Sequence, residues 1–257
     1  MIFSLISGSS GNSTLIVQDN ALILLDCGAS GKKLTQAIES LGFSCSDISA
    51  ILLTHEHSDH INGAGIMSRR FDIPIYTTAE TLDATNIGSI KDSNIHTVSP
   101  GKDFEINGVG VMPFSISHDA ANPIGFSFTL NEGKFSSVTD TGVITQDIYK
   151  QVCDSKYLIL ESNHDVDMLQ FGNYPYQLKR RILSETGHLS NNYAAKIAVK
   201  MMENGAEHIM LGHLSQENNT PEIAYKTTEN ALTAKGGIIG KDINLSVASR
   251  YGITRLS

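Results

Sequence analysis

The chain consists largely of short apolar runs separated by glycine, proline and polar turns. Runs of this kind predict strands, which we place at residues 2–6, 14–17, 21–25, 50–53, 74–76, 94–98, 104–116, 124–130, 134–139, 157–160, 207–211 and 243–249. Amphipathic segments with capping residues predict helices at residues 31–41, 61–70, from Thr77, 146–153, from Pro175 to about 187, from Ser190 to about 203 and from Pro221. Alternation of these elements, with antiparallel hairpins, predicts one domain over residues 1–257, built from two sheets packed face to face with helices outside.

Composition narrows the class of protein. Hydrophobic residues make up 40% and charged residues 18% of 257 residues, which is typical of a globular chain with a substantial core. No apolar run approaches the length of a membrane span, and Met1–Ile6 lacks the basic start of a signal peptide. The three cysteines have no metal-type spacing, so we expect free thiols and a cytoplasmic location.

One stretch carries most of the chemistry. His55, His57, Asp59 and His60 fall within six residues, directly after a buried strand and before a helix. Neutral imidazole and carboxylate suit zinc, manganese or iron, whereas an all-oxygen set would suit magnesium or calcium. Alternate residues of an extended segment point the same way, so His55 and His57 can bind one ion while Asp59 and His60 serve a second.

The pattern His-x-His-x-Asp-His resembles the signature of the metallo-β-lactamase-fold hydrolases, and later motifs follow in that family's order. The fold implied is α+β, a four-layer αββα sandwich. Several local strings resemble the YycJ/WalJ-type subfamily in particular, and together they span the chain: Gly8–Asn12, Glu161–Asp165, Tyr174–Pro175, Gly187–Asn191 and His213–Asn219.

The resemblance implies a site with two divalent metal ions, zinc or manganese. One ion is expected on His55, His57 and His118, and the other on Asp59, His60 and His213. Asp140 is expected to bridge the two ions, opposite a bridging hydroxide that attacks phosphorus. Asp26 is expected to orient a histidine from behind, although it could equally cap the next helix.

Residues outside the ligand set complete the expected site. His164 and His188, in polar loops after core elements, are assigned with Asp59 to catalysis, as general acids or phosphate contacts; the alternative is a capping or surface role. Ser9, Ser10 and Asn12 lie in a loop whose amides could form an anion cradle or simply a hairpin turn. We assign them to substrate binding together with Ser190, which also suits an N-cap.

These features predict a phosphodiesterase, and the resemblance makes a DNA exonuclease the expected activity. The net charge of -8 argues against broad adhesion to nucleic acid or lipid, so DNA would bind in a cleft, and no membrane is expected. Two alternatives share the metal site: a PhnP-like phosphodiesterase acting on a small cyclic phosphate, and a glyoxalase II-like thioester hydrolase. The oligomeric state stays open.

Overall fold

The structure, a computed structural model, describes residues 1–257 and contains two seven-stranded sheets. The first sheet contains seven strands: β1 (Ile2–Ile6), β2 (Ser13–Gln18), β3 (Ala21–Leu25), β4 (Ala50–Leu52), β5 (Ile75–Thr77), β6 (Ile95–Thr97) and β14 (Thr254–Arg255). The second contains seven more: β7 (Phe104–Ile106), β8 (Val109–Ser115), β9 (Ile124–Leu130), β10 (Gly133–Val138), β11 (Tyr157–Glu161), β12 (His208–Gly212) and β13 (Asn244–Val247).

Both sheets are mixed. The first has the order β14-β1-β2-β3-β4-β5-β6, antiparallel from β14 to β3 and parallel from β3 to β6. The second has the order β13-β12-β11-β10-β9-β8-β7, parallel from β13 to β10 and antiparallel from β10 to β7. In both sheets, therefore, several strands run in the same direction and end at the same edge, where binding sites of such folds collect.

Nine helices accompany the sheets: α1 (Gly31–Ser40), α2 (Ser58–Ile61), α3 (Ala64–Phe71), α4 (Ala79–Ala84), α5 (Gln146–Val152), α6 (Val166–Phe171), α7 (Tyr176–Ile182), α8 (Asn191–Glu203) and α9 (Pro221–Ala234). None of them combines the length and apolar character needed to cross a bilayer.

Three apolar clusters separate four layers. One cluster joins the inner faces of the two sheets, with Phe126, Phe128 and Phe135 among its fully buried members. A second packs the outer face of the second sheet against α5, α8 and α9, and a third packs the outer face of the first sheet against α1 and α3. Because the central strands are covered on both faces, they read as continuous apolar runs. The predicted αββα sandwich is confirmed.

Local differences from the sequence prediction have identifiable causes. The helix predicted over 61–70 is two helices, α2 and α3, because the Gly63 amide between them donates to the Cys27 carbonyl, 2.7 Å away. The N-cap predicted at Thr77 is Thr78, whose hydroxyl accepts from the Thr81 amide. Thr77 ends β5, and its hydroxyl donates to the Leu53 carbonyl.

The region after β11 departs further from the sequence prediction. The helix α7 begins after Pro175 as predicted but ends at Ile182, not near 187. The chain then turns back, and the His188 amide donates to the Ile182 carbonyl at 3.0 Å. The short helix α6 was not predicted, although Asp165 provides a standard N-cap by accepting from the Met168 amide.

Candidate metal centre

The stretch Thr54–His60 leaves β4 and enters α2, so its side chains are held between a buried strand and a helix. Asp26, at the end of β3, accepts from the Thr54 amide at 2.9 Å and lies 2.8 Å from His60 Nδ1. Ser30, not Asp26, caps α1, so Asp26 has the orienting role expected of it. A carboxylate on Nδ1 fixes the tautomer and leaves Nε2 of His60 free to bind a metal.

A first group of candidate ligands consists of His55, His57 and His118, the set that the family resemblance implied for one ion. His57 Nδ1 and His118 Nε2 lie 3.2 Å apart, and the rings of His55 and His57 have centroids 4.6 Å apart. Thr54 Oγ1 lies 3.0 Å from His55 Nδ1, whereas His55 Nε2 is buried without a hydrogen-bonding partner. Nitrogen lone pairs that converge in this way fit a shared cation.

A second group consists of Asp59, His60, Asp140 and His213. His60 Nε2 lies 3.2 Å from Asp140 Oδ2 and 3.5 Å from Asp59 Oδ2. His213 Nε2 lies 3.4 Å from Asp59 Oδ2 but lacks the geometry of a hydrogen bond, so a buried nitrogen is left for another partner. This mixed nitrogen and oxygen set fits zinc or manganese.

Asp140 lies between the two groups. Its Oδ2 is near His60 Nε2, and its Oδ1 is 3.9 Å from His118 Nε2 and 3.4 Å from His213 Nδ1. Burial opposes ionisation of Asp140, but the positive charges of His213 and His60 outweigh it and hold the pKa of the carboxyl well below its usual range. The carboxylate thus has both oxygens near the second group and Oδ1 also within reach of the first, which suits it to serve both.

The backbone is strained at three residues of the site that come after strands. Asp26, Asp140 and His213 have φ angles of 57°, 58° and 55°, in the left-handed region that non-glycine residues seldom adopt. Such strain collects at functional sites because the surrounding structure must enforce it. Close packing enforces this backbone geometry. A Cβ on Gly28 would lie 1.7 Å from the Asp59 carbonyl, so only glycine lets the stretch Thr54–His60 approach the end of β3 this closely.

The sequence interpretation missed Glu161, the last residue of β11. Its Oε1 lies 2.7 Å from His188 Nδ1 and 2.8 Å from His213 Nδ1, and its Oε2 accepts from the Thr141 and Leu189 amides. Burial would raise the pKa of Glu161, but His188 and His213 lower it to about 2. The ionised carboxylate therefore holds both histidines with Nδ1–H toward itself and leaves each Nε2 free.

Asp140, Glu161, His188 and His213 form a further combination with ligand-like spacing. Its shortest contacts are those from Glu161 to the two histidines, and they have hydrogen-bond lengths. We therefore interpret this combination as a network that orients His188 and His213, and not as a third ion site.

A cavity of about 340 Å³ lies over the two groups and contains Asp59, His118, Asp140, His188 and His213 in its wall. Exposed residues, among them Ser58 and Arg181, form its rim, so it opens to solvent. Arg181 is paired with Asp119, which follows His118. Only three of its fourteen lining residues are hydrophobic, which suits a charged substrate.

The residues assigned to substrate binding are not all brought to this cavity. Ser9 lines it, whereas Ser10 is exposed beside it. Asn12 is buried behind the ligands, where its Nδ2 lies 3.2 Å from Asp59 Oδ2 and 3.1 Å from His60 Nε2. The amides of Gly8, Gly11 and Asn12 bond within the protein, which leaves those of Ser9 and Ser10 for an anion.

Two other assigned residues lie outside the cavity wall. His164 is buried, neither of its ring nitrogens has a partner, and burial lowers its pKa to about 4. Ser190 is the N-cap of α8 and accepts from the Tyr193 amide. The placement of Ser190 matches its N-cap alternative, whereas His164 fits neither the capping nor the surface alternative, and its role in catalysis stays a prediction.

Comparison with known proteins agrees with the fold. Residues 22–214 match the model of a β-lactamase superfamily domain. Exodeoxyribonuclease YycJ of Bacillus anthracis is 37% identical over 239 residues, 92% of this chain and 90% of that protein. Exodeoxyribonuclease WalJ of Streptococcus pneumoniae (strain D39) is 36% identical over 245 residues, 94% of this chain and 91% of that protein. The crystal structure of the metallo-β-lactamase-fold protein YhfI of Bacillus subtilis superposes with a TM-score of 0.73, covering 99% of each chain at 17% identity.

The chain therefore belongs to the β-lactamase superfamily and is a metal-dependent hydrolase with the metallo-β-lactamase fold. Within this superfamily, its similarity over nearly the whole chain places it in the YycJ/WalJ type.

The role of Glu161 can be measured through metal binding. Glu161→Gln keeps the size of the side chain but removes the charge that holds His213 and His188. We expect metal affinity to fall by about 10–100-fold, which is typical when a partner behind a ligand is lost. Competition with a chromophoric chelator measures this affinity. Glu185→Gln, an exposed change, is the control, and equal affinity of the two variants would contradict the orienting role.

Metal binding should also depend on pH. Burial disfavours the charged form of His213, but Asp140, Asp59 and Glu161 raise its pKa to about 10 from an ordinary value of 6.5. In the metal-free protein, the stability contributed by this cation is complete below pH 6.5 and is lost as the pH rises toward 10. A metal needs the deprotonated ring, so it binds more tightly over the same range. The difference in Tm between metal-loaded and chelated protein should therefore widen from about pH 6.5 to 8.5, and a constant or narrowing difference would contradict this.

Proposed function

We propose that this protein is a dinuclear metal-dependent phosphodiesterase that digests DNA from an end in the cytoplasm. The observation that carries the proposal is the pair of ligand groups on either side of Asp140, facing one open polar cavity. His55, His57 and His118 would hold one zinc or manganese ion, and Asp59, His60 and His213 the other, with Asp140 shared. When bound, two such ions activate a water molecule and neutralise charge on the phosphate.

The chain's own groups supply the remaining chemistry. His188 lines the cavity, and its Nδ1–H donates to Glu161, so Nε2 is the nitrogen available to a substrate. A proton on this nitrogen can pass to the oxygen that leaves phosphorus, while Glu161 stabilises the cationic ring. Ser9 lines the cavity, so its free amide can contact a phosphate oxygen there, and the amide of the adjacent Ser10 is also free.

Two observations support a polymer as substrate. The cavity opens to solvent along a rim that includes Arg181, so a strand can enter without a lid having to move. The two relatives named as exodeoxyribonucleases match this chain over nine tenths of their length. The chain as a whole is acidic, with a net charge of -8, so binding would depend on the cavity and its rim.

A substrate panel tests the proposal. Purified protein, loaded with zinc or with manganese, is incubated with 5′- and 3′-labelled DNA and RNA, a cyclic nucleotide and S-lactoylglutathione. We expect labelled DNA to be shortened progressively from one end, and the polarity to follow from which label is released first. Rapid turnover of the cyclic phosphodiester or the thioester, with no polymer digestion under either metal, would refute the nuclease proposal.

A further inference from the structure

Large aromatic side chains are exposed beside the cavity. Phe171 ends α6 with 85% of its surface accessible, and Tyr176 begins α7 with 74% accessible. Between them, Tyr174 lines the cavity wall. A single exposed apolar residue is common on protein surfaces. Several exposed aromatic residues at the border of a binding site, however, indicate an interaction surface.

The segment that carries these residues is fixed to the body of the protein. Lys179 Nζ donates to the carbonyls of Gln170 and Gly172, at 2.9 and 2.7 Å, and so ties α7 to the end of α6. Farther along α7, the pair formed by Arg181 and Asp119 joins the segment to the loop after His118. The aromatic residues therefore project from a segment whose position is fixed by these bonds.

The charge of the segment differs from that of the whole chain. Residues 166–183 contain Lys179, Arg180 and Arg181 against a single acid, Asp167, in a chain with a net charge of -8. Arg181 is paired with Asp119, so Lys179 and Arg180 supply the excess positive charge. Arg180 lies 6.0 Å from the centroid of the Tyr176 ring, at the outer limit of a cation–π contact. A surface that is both aromatic and basic complements a flexible polyanion with flat apolar faces, which describes single-stranded nucleic acid.

We propose that Phe171, Tyr174 and Tyr176 form a stacking surface for unpaired bases of the strand whose phosphodiester occupies the cavity. This inference rests on the proposed function and specifies its substrate as a strand with a single-stranded end. Phe171 and Tyr176 lie within three residues of Tyr174, so the backbone places each within about 11 Å of it.

Kinetics on two substrates test the surface. Phe171→Ala and Tyr176→Ala are compared with Ile238→Ala, which also alters an exposed side chain but lies after the far end of α9. For each variant, kcat/KM on single-stranded DNA is divided by kcat/KM on bis(p-nitrophenyl) phosphate, which is too small to span the surface. We expect this ratio to fall about tenfold in each aromatic variant, as loss of one stacked base predicts, and to keep the wild-type value in the control.

Failure of this inference can be distinguished from failure of the proposed function. A wild-type protein that hydrolyses the small diester but no polymer would remove the proposed function, and the stacking surface with it. A wild-type protein that digests DNA, with equal ratios in all three variants, would overturn the stacking surface alone.

Fluorescence gives a direct reading of contact, because the chain contains no tryptophan. Phe171→Trp introduces a single reporter that preserves an aromatic face. Titration of the metal-loaded variant with a phosphorothioate oligothymidylate should quench its emission, and an abasic oligomer of equal charge should quench it several-fold less. Equal quenching by the two oligomers would overturn stacking. If the emission of the variant shifted to the blue as the protein concentration rose, with no oligomer present, the surface would be contacting a second copy of the chain. That result would overturn stacking.

Discussion

Replacing Asp140 by asparagine is expected to reduce hydrolysis by at least about a thousandfold, because a shared carboxylate contributes several kcal/mol of charge stabilisation through both ions. Asparagine is the most informative substitution because it tolerates the φ angle of 58° at this position, whereas alanine would add backbone strain. Elemental analysis should show bound metal falling from two ions per chain to one or none. The neutral amide would also remove one of the carboxylates that compensate the charges of His60 and His213.

A matched control exists for the backbone. Asp72 ends α3 with the same φ angle of 58° but is exposed and remote from the ligand groups. Asp72→Asn should therefore retain full activity and metal content, which isolates the effect of the ligand from that of the conformation. Two tightly held ions in Asp140→Asn would show that this carboxylate does not bridge, and the two-ion assignment would need a different shared ligand.

The positions of the ligand groups could be predicted because their signal is local. His55, His57, Asp59 and His60 occur in one stretch, and a buried strand before them fixes where they lie. His118, Asp140 and His213 each follow a strand of the second sheet, and such strand ends gather at one edge. The short-range pattern located four of these residues, and the family resemblance, through its order of motifs, indicated the other three.

The direction of a side chain depends on tertiary packing, and there the sequence was less informative. Glu161, Ser162, Asn163 and His164 are consecutive polar residues after an apolar run, and any of them could have reached the cavity. The structure turns Glu161 and Asn163 toward the site and buries His164 away from it. Glu161 ends a buried strand, and Asp26 and Asp140 come just after one, so its position offered a signal of the same kind.

The contacts of Asn12 also could not be predicted from the local sequence. Its place in a Gly/Ser loop predicted a contact with substrate, but the loop bends inward, so the Gly8 amide donates to Asn12 Oδ1 and the Asn12 amide to the Asp59 carbonyl. A role behind the ligands follows from this long-range contact with the metal loop, which no local pattern encodes. The loop therefore positions Asp59 and His60 and exposes only Ser9 and Ser10 to an anion.

Replacing His188 by alanine is expected to lower the rate of DNA hydrolysis by about 10²–10⁴-fold, the usual contribution of a general acid, while bound metal stays unchanged. Its Nδ1 is committed to Glu161, and it lies outside the two ligand groups that contain the other histidines of the cavity. The defect should be much smaller on bis(p-nitrophenyl) phosphate, because nitrophenolate leaves without needing a proton. A merely structural role for His188 would reduce both reactions equally.

Comparison with His57→Ala separates the two kinds of histidine. His57 belongs to the first ligand group, so its loss should remove metal and slow both substrates together. His96→Ala is the control, since His96 is exposed on β6 and stacks on Tyr76 at 4.5 Å. If His188→Ala lost as much metal as His57→Ala, the combination of Asp140, Glu161, His188 and His213 would be an ion site in its own right. Proton delivery to the leaving oxygen would then have to come from solvent, because no other cavity histidine lies outside the ligand groups.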